Sequence, residues 1–306
     1  MTLLASAFVY LAGLVLAPGL PGIVNRVKAA MAGRKGVPTL QLYADLAKLL
    51  RKGAVYSRTT TWVFRFGPVA GLAAVLVALA LVPAGGVAAP VSFSGDLILF
   101  AGLFAVMRMA TMLAALDTGS SFEGMGASRE AAFAVFAEPA LLVALAAIVR
   151  VTDSLSLSGA AAAAGSGLWG HAAAPVSLAC AALFVVLLAE NARVPVDDPN
   201  THLELTMIHE VMVLDHGGPD FALIQYASAL KLWAGSALIV SLLPCRTGNP
   251  WIDPVIFLAG MAGAGVLVGL VESFLARLKM SRVPHMLVGA MALAILALVM
   301  GRTGRG

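Results

Sequence analysis

Residues 62–83 read WVFRFGPVAGLAAVLVALALVP, and Arg65 is the one charged residue among them. A membrane-spanning helix needs about 20 mostly apolar residues to cross the hydrocarbon core. Inside lipid the backbone polar groups have no water to bond, so a spanning segment of this kind has to be helical. The stretch therefore predicts a transmembrane α-helix.

Similar apolar stretches recur along the chain, and together they predict about eight transmembrane helices in a single membrane domain over 1–306. The chain is 60% hydrophobic and 12% charged, whereas a soluble domain carries about 25% charged residues. We expect an all-α polytopic membrane protein with amphipathic cytoplasmic helices. No basic region precedes the first stretch, which predicts a retained helix rather than a signal peptide. The predicted spans are 3–24, 62–83, 95–116, 129–150, 173–190, 221–243, 252–275 and 284–301.

The charges in the loops predict the orientation. Loop 25–61 carries eight basic residues against the single acid Asp45, and cytoplasmic loops are enriched in Lys and Arg. Loops 117–128, 191–220 and 276–283 then lie on the same side, and both termini face the outer side. The net charge of +4 resides in short loops, which excludes a nucleic-acid surface. On the outer side, the low-complexity tract Ala160–Gly167 is interpreted as a flexible linker.

Two cytoplasmic segments have helical apolar spacing. In 38–52, Leu42, Leu46 and Leu49 recur on one face. This pattern predicts an amphipathic helix on the membrane or on a partner. In 199–214 a second stripe includes Met207, and it predicts another amphipathic helix.

Several charges interrupt the apolar spans, namely Arg65, Arg108, Glu130, Glu138, Lys231 and Glu272. Charges inside spans are costly and usually functional. Glu130 and Glu138 are separated by about 80° around a helix, so they can line one groove. Proton handling by a buried carboxylate is one interpretation. A neutralising ion pair with Arg108 or Arg129 is the other, and snorkelling toward water is an alternative for Arg65 and Glu130.

The richest segment, 190–210, reads ENARVPVDDPNTHLELTMIHE. Glu190 and Arg193 have the spacing of an ion pair, and the two prolines that follow end the helix. The acids that follow are Asp197, Asp198, Glu204 and Glu210. A solvated acidic loop is one interpretation, but the interleaved Pro, Leu and Met favour a folded segment. The histidines and the two cysteines have no metal-ligand spacing, so we expect no metal on this chain.

This segment resembles the third cytoplasmic loop of the subunit-1 family of respiratory complex I (NADH dehydrogenase). The resemblance is closest to the hydrogenase branch, the membrane anchors similar to formate hydrogenlyase subunit 4 and hydrogenase-4 component C. Three further stretches match in the same order, PTLQLYADLAKLLRK at 38–52, ASREAAFAVFAEP at 127–139 and ESFLARLKMSRVP at 272–284.

The resemblance implies residue roles. Arg129 and Glu138 fall on the family's charged pair, and Glu204 falls on an acid of the helix after the loop. Glu190, Arg193, Pro195 and Asp197 fall on its E-x-x-R-x-P-x-D core. The predicted ion pathway comprises Arg108, Arg129, Glu130, Glu138, Glu190, Arg193, Asp197, Asp198, Glu204, Glu210 and Glu272. The predicted docking residues are Leu42, Leu46, Leu49, Pro195, Pro199, Met207, Arg277 and Arg282.

The resemblance also implies partners in the inner (cytoplasmic) membrane. These are the hydrogenase large and small subunits, an iron–sulfur subunit, an antiporter-like membrane subunit and membrane lipids. The nickel–iron centre and iron–sulfur clusters are expected in those partners, and this chain is expected to bind no cofactor. Quinone-reducing members carry acids where this chain has Asn200 and His202, so ferredoxin, formate or carbon monoxide as electron donor fits better.

The sequence is compatible with three functions. The first is a non-catalytic anchor and ion-coupling subunit of a membrane-bound hydrogenase, translocating protons or sodium. The second is the quinone-site subunit of an NADH:quinone oxidoreductase. The third is a purely structural anchor.

Overall fold

Apolar helices build the whole fold, as the computed structural model shows for residues 2–197, 207–244, 246–249 and 251–303. The helices are α1 (Thr2–Leu16), α2 (Gly19–Met31), α3 (Gln41–Leu50), α4 (Trp62–Ala80), α5 (Asp96–Asp117), α6 (Ser121–Thr152), α7 (Leu157–Ala163), α8 (Trp169–Glu190), α9 (Gly218–Ser241), α10 (Asp253–Phe274) and α11 (Val283–Thr303). Short 3₁₀ turns cover Glu210–Val213 and Met280–Arg282. No β-strand forms within the described ranges, which confirms the all-α prediction.

The helices are long enough for a membrane protein with many spans. In the described part of the chain, seven are long and apolar enough to cross, and the total is eight if α1 and α2 form one span. These two helices bend by 46° at their junction, where Pro18 provides no N–H for the carbonyl of Leu14. The chain is therefore a multi-pass membrane protein.

The helices pack around a core of small and branched side chains. Helix α4 packs most extensively on α5 and also on α9, while α11 packs on α6 and α8. Helix α10 packs on α2. The main core cluster includes the buried residues Phe100, Leu145, Leu230 and Ala294. Glu190, the last residue of α8, is buried against this packed bundle.

Two of the predicted loops are in fact helical. The loop predicted at 117–128 is reduced to a short turn, because Gly119 has φ +70° and α6 begins at Ser121. The linker predicted at Ala160–Gly167 is wrong, since α7 and a π-helical turn at Ala164–Leu168 occupy it. Alanine has the highest helix propensity of all residues, and the small side chains Ala160, Ala161 and Ala164 are buried.

The two amphipathic predictions have different outcomes. Helix α3 occupies Gln41–Leu50, inside the predicted 38–52, and it packs against α9 and α2 of this chain. Leu42, Leu46 and Leu49 are therefore half-buried within the chain itself. Of the helix predicted at 199–214, residues 199–206 lie outside the described residues. The remainder is a short 3₁₀ turn, not a continuous helix.

Candidate functional site

Arg108 on α5 joins carboxylates from two other helices. Its Nε lies 3.1 Å from Glu130 Oε1, and its Nη1 donates to Glu138 Oε1 at 2.6 Å. Its Nη2 donates to Glu190 Oε1 at the end of α8. A planar guanidinium has five N–H donors in a fixed arrangement, so one side chain can satisfy all three acids. The pair of Arg108 and Glu138 that one of the two interpretations proposed is present in this geometry.

Lys231 on α9 extends the cluster. Its Nζ lies 2.7 Å from Glu190 Oε2 and donates to the Glu190 carbonyl oxygen at 2.8 Å. Both side chains are buried. Lys231 stood out in the sequence as a charge inside a span, but nothing in the sequence indicated its partner. It is the functional-site residue that sequence reasoning left without a role.

His209 reaches Glu130 from the segment after the undescribed residues. Its Nδ1 lies 3.4 Å from Glu130 Oε2. We call the set Arg108, Glu130, Glu138, Glu190, Lys231 and His209 the central charge cluster. With neutral His209 it contains two cations and three carboxylates, so its formal charge is −1 when every acid is ionised.

Glu138 differs from the other acids of this cluster in its exposure. Its side chain is 45% exposed, whereas that of Glu130 is 8% exposed and that of Glu190 is 2% exposed. The burial expected for Glu138 is therefore wrong for the isolated chain. Its position is at the surface of α6, near the middle of that helix.

Glu272 and Asp197 lie outside the central charge cluster. Each forms an ion pair that connects the segment after α8 to another part of the chain. Glu272 on α10 pairs with Lys28 Nζ at 2.8 Å and with Arg193 Nη1 at 3.4 Å. Asp197 pairs with Arg277 Nη2 at 2.8 Å, and its Oδ2 accepts the N–H of Ile208 at 3.0 Å. The sequence predicted an ion pair between Glu190 and Arg193. In the structure Glu190 instead pairs with Arg108 and Lys231, and Arg193 pairs with Glu272.

Arg129 holds the same segment from α6. Its Nη1 donates to the Met207 carbonyl oxygen at 2.8 Å, and Nη2 contacts Met125 Sδ at 2.7 Å. The family resemblance paired Arg129 with Glu138, but here Glu138 bonds Arg108.

The predicted docking residues divide by exposure. Pro195 and Met207 are buried within this chain, so they are not surface groups, and the Pro195 carbonyl accepts the N–H of Leu278 at 2.9 Å. Arg277 is engaged by Asp197, whereas Arg282 is exposed. Asp198, Pro199 and Glu204 lie outside the described residues.

Glu123, in the first turn of α6, is a buried acid that the sequence analysis did not select. Its Oε1 accepts the N–H of Asp215 at 3.2 Å. The stretch 117–128 was predicted as a loop, which hid this carboxylate. An acid in the first turn of a helix was the available signal.

A cavity of about 180 Å³ opens beside the cluster. Its walls combine charged groups of the loop with polar and apolar residues of α5, α9 and the 3₁₀ turn. Its lining includes Arg108, Glu190, Arg193, Asp197, His209, Glu210, Val213, Phe221, Ile224 and Lys231. In the described residues, no group of three or more His, Cys, Asp or Glu side chains is arranged to hold a metal ion. The cavity therefore gives the loop side access to Arg108, Glu190 and Lys231 of the central charge cluster.

Comparison with known proteins places the chain among membrane subunits. A family model described as NADH dehydrogenase matches residues 4–301. Formate hydrogenlyase subunit 4 of Escherichia coli (strain K12) is 30% identical over 296 residues, covering 93% of this chain and 94% of the relative. Hydrogenase-4 component C of the same strain is 28% identical over 298 residues, covering 95% and 93%.

Two further similarities are more distant. The H subunit of the NADH-quinone oxidoreductase of Rubrobacter xylanophilus is 26% identical over 220 residues, covering 72% of this chain and 64% of the relative. A solved structure of the membrane-bound sulfane sulfur reductase, an archaeal respiratory membrane complex, shares the fold. Its TM-score is 0.84 at 21% identity, covering 97% of this chain and 98% of that one. With a family model matching nearly end to end, this chain belongs to the NADH dehydrogenase family of complex I subunit 1-like membrane proteins.

Proposed function

We propose that this chain is the membrane anchor and ion-coupling subunit of a membrane-bound nickel–iron hydrogenase or formate hydrogenlyase-type complex. The observation that carries the proposal is the bonding of Arg108 to Glu130, Glu138 and Glu190. One cation thus lies between a loop-side cavity and the surface of α6. The hydrogenase-type names of the relatives support the class of complex.

The loop side is where a redox module would act. Asp197, His209 and Glu210 border the cavity together with Glu190. Protonating Glu190 would remove one of three carboxylates that share Arg108. Arg108 would then interact more strongly with the remaining acids, and a nearby cation favours the ionised form of a carboxylate. A charge change at the cavity is thereby transmitted to Glu138.

The opposite end of the route is Glu138. A charged side chain facing lipid near the middle of a span is expensive. We infer that an antiporter-like membrane subunit covers Glu138 and takes the ion, a proton or a sodium ion. The hydrogenase large and small subunits and an iron–sulfur subunit would dock on the loop side and contain the metal centres. In this proposal the loop side is cytoplasmic, the membrane is the inner one, and both termini face out.

The test uses the intact complex in proteoliposomes with reduced viologen as electron donor. Glu138→Gln and Glu190→Gln remove a titratable group while keeping shape. We expect ion translocation per turnover to fall about tenfold, the effect of roughly 1.4 kcal/mol on a barrier. Asp96→Asn is the matched control, because Asp96 is a buried carboxylate that bonds the Leu157 N–H, away from this cluster.

The results separate this function from a simple anchor. Assembly with intact hydrogen turnover but lost ion movement in the Glu138 and Glu190 variants supports coupling. Full ion movement in both variants would leave only the anchoring role. In that case Leu50→Asp, at an exposed residue of α3, should detach the soluble subunits, while the carboxylate variants leave every activity unchanged.

A further inference from the structure

A second cavity lies at the other end of α9, far from the central charge cluster. Its volume is about 230 Å³, and it is bounded by the end of α9, the start of α10 and the turn at Gly85 and Gly86. One water occupies roughly 30 Å³ in the liquid, so the space accommodates a larger polar group. The residues of the proposed coupling path from Glu190 through Arg108 to Glu138 do not line this second cavity.

One end of the cavity is polar. Arg246 and Asp253 both line it. The Asp253 Oδ1 accepts the N–H and the hydroxyl of Thr247 at 2.8 and 2.7 Å, and Oδ2 accepts the Gly248 N–H at 3.2 Å. These bonds fix the loop that carries Arg246. The Asp253 carboxylate is therefore held in place by the loop that precedes α10.

Arg246 is held there without an ion pair in the described part of the chain. Its stem packs at the π-helical turn, where a Cβ on Gly165 would lie 2.7 Å from Arg246 Cδ. Burial lowers the pKa of Arg246, and the charge of Asp253 opposes that shift. A partly desolvated guanidinium binds anionic oxygens strongly.

The other walls are apolar and open toward lipid. Val240 and Phe257 are buried, Ile256 is half-buried and Ala259 is exposed on α10. A Cβ on Gly260 would lie 2.7 Å from Val240 Cγ1, so α9 and α10 are in close contact there and bound the cavity. An acyl chain lying on this surface of α10 would enter the cavity from the bilayer.

Trp251 indicates the depth of this site in the membrane. Its side chain is 85% exposed, two residues before α10 begins. Exposed tryptophans concentrate at the level of the lipid headgroups. Arg246 and Asp253 flank it in sequence, so they lie at the level of phosphates and amines.

We infer that this cavity binds the headgroup of a zwitterionic phospholipid, with its phosphate on Arg246 and its ammonium beside Asp253. One guanidinium and one carboxylate match one phosphate and one amine. An anionic lipid such as phosphatidylglycerol has no ammonium group, so it would leave the Asp253 carboxylate uncompensated. The site lies on the membrane face opposite the proposed coupling cavity and does not depend on the coupling proposal.

The test measures lipid retained by the purified complex. After delipidation in detergent, phosphatidylethanolamine or phosphatidylglycerol is added back, and bound lipid is counted by native mass spectrometry. We expect one phosphatidylethanolamine per chain, with retention about tenfold lower in Arg246→Gln, the effect of losing one charge-assisted hydrogen bond. Arg246→Lys should keep most of it. Arg150→Gln is the control, since Arg150 is exposed at the same end of the bundle.

Two results would overturn the inference. One is equal phosphatidylethanolamine retention in the wild type and Arg246→Gln, which would mean that Arg246 does not bind the headgroup phosphate. The other is a preference for phosphatidylglycerol, because Asp253 would then not face a headgroup amine. Arg246→Lys also guards against misfolding: a complex that assembles with Lys and binds lipid shows that charge, not fold, decides retention.

Discussion

Arg108 bonds three carboxylates, and this arrangement makes each of them depend on the others. Two cations face three acids, so removing Arg108 or Lys231 leaves Glu190 buried with one cation fewer, whereas neutralising one acid balances the charges of the cluster. Breaking a buried pair in this way typically costs about 3–5 kcal/mol. Neutral isosteres such as Gln are therefore the informative substitutions, since alanine would combine loss of charge with loss of packing.

His216 is a buried titratable side chain outside the membrane spans. Its ring stacks on Phe64, with centroids 3.9 Å apart and planes 7° from parallel. Burial lowers the pKa of His216, and Asp220 and Asp215 oppose that shift. The folded chain therefore favours the neutral ring.

This shift predicts a pH dependence of stability. An unfolded histidine takes up a proton near pH 6.5, and the folded one does so at lower pH. Between the two pKa values the unfolded state binds more protons, so the free energy of unfolding falls as pH falls. Thermal unfolding of the complex between about pH 7.5 and 5 should show this fall, and His216→Gln should weaken it. The exposed His285→Gln should change nothing, and an unchanged fall in His216→Gln would contradict the assignment.

The junction of α1 and α2 is fixed by tyrosines from other helices. Tyr226 on α9 donates to the Leu14 carbonyl oxygen at 3.0 Å, and Tyr43 on α3 donates to that of Val15 at 2.5 Å. Pro18 cannot supply the helical partner of Leu14. The hydroxyl groups therefore satisfy carbonyls at a helix break inside the membrane.

Tyr226→Phe should destabilise the junction by about 1–3 kcal/mol, because it leaves the Leu14 carbonyl unpaired. Tyr10→Phe is the matched control. Tyr10 donates to the Leu76 carbonyl oxygen at 3.2 Å, but Leu76 lies inside α4, where its carbonyl has a helical partner. Thermal unfolding of the complex measures both. An equal, small effect of the two variants would show that the break needs no tyrosine.

Hydropathy predicted the spans because lipid imposes length and apolarity on each segment. Hydropathy contains no information on hydrogen bonds. The bend at Pro18 was therefore not predicted, although the proline is visible in the sequence. The error at Ala160–Gly167 came from equating small residues with a linker, whereas alanine favours helix. In the site, Glu130 and Glu138 were predicted as charges inside a span, and Glu190 was predicted as part of the acidic segment, paired with Arg193. Lys231 was not assigned, because which charges meet depends on helix packing.

Across the whole molecule, contacts between loops join the ends of distant helices. Arg277 bonds Asp197, and the Leu278 N–H bonds the Pro195 carbonyl, so the segment after α10 holds the segment after α8. Gly218 has φ +54°, and a Cβ there would lie 2.7 Å from the Gly53 carbonyl oxygen. Only glycine adopts this conformation readily, so the loop before α9 can lie directly on the loop after α3.

Arg277→Gln tests whether this joining orders the surface near the cavity. The substitution leaves the Asp197 carboxylate, which accepts the N–H groups of Ile208 and His209, without its guanidinium partner. Losing a buried charged partner costs about 1–3 kcal/mol, so those two amides should exchange with deuterium roughly ten- to a hundredfold faster. Arg282→Gln, at an exposed residue of the same segment, should leave their exchange unchanged. If both variants exchange like the wild type, then the hydrogen bonds of Asp197 persist without Arg277, and the ion pair contributes only surface charge.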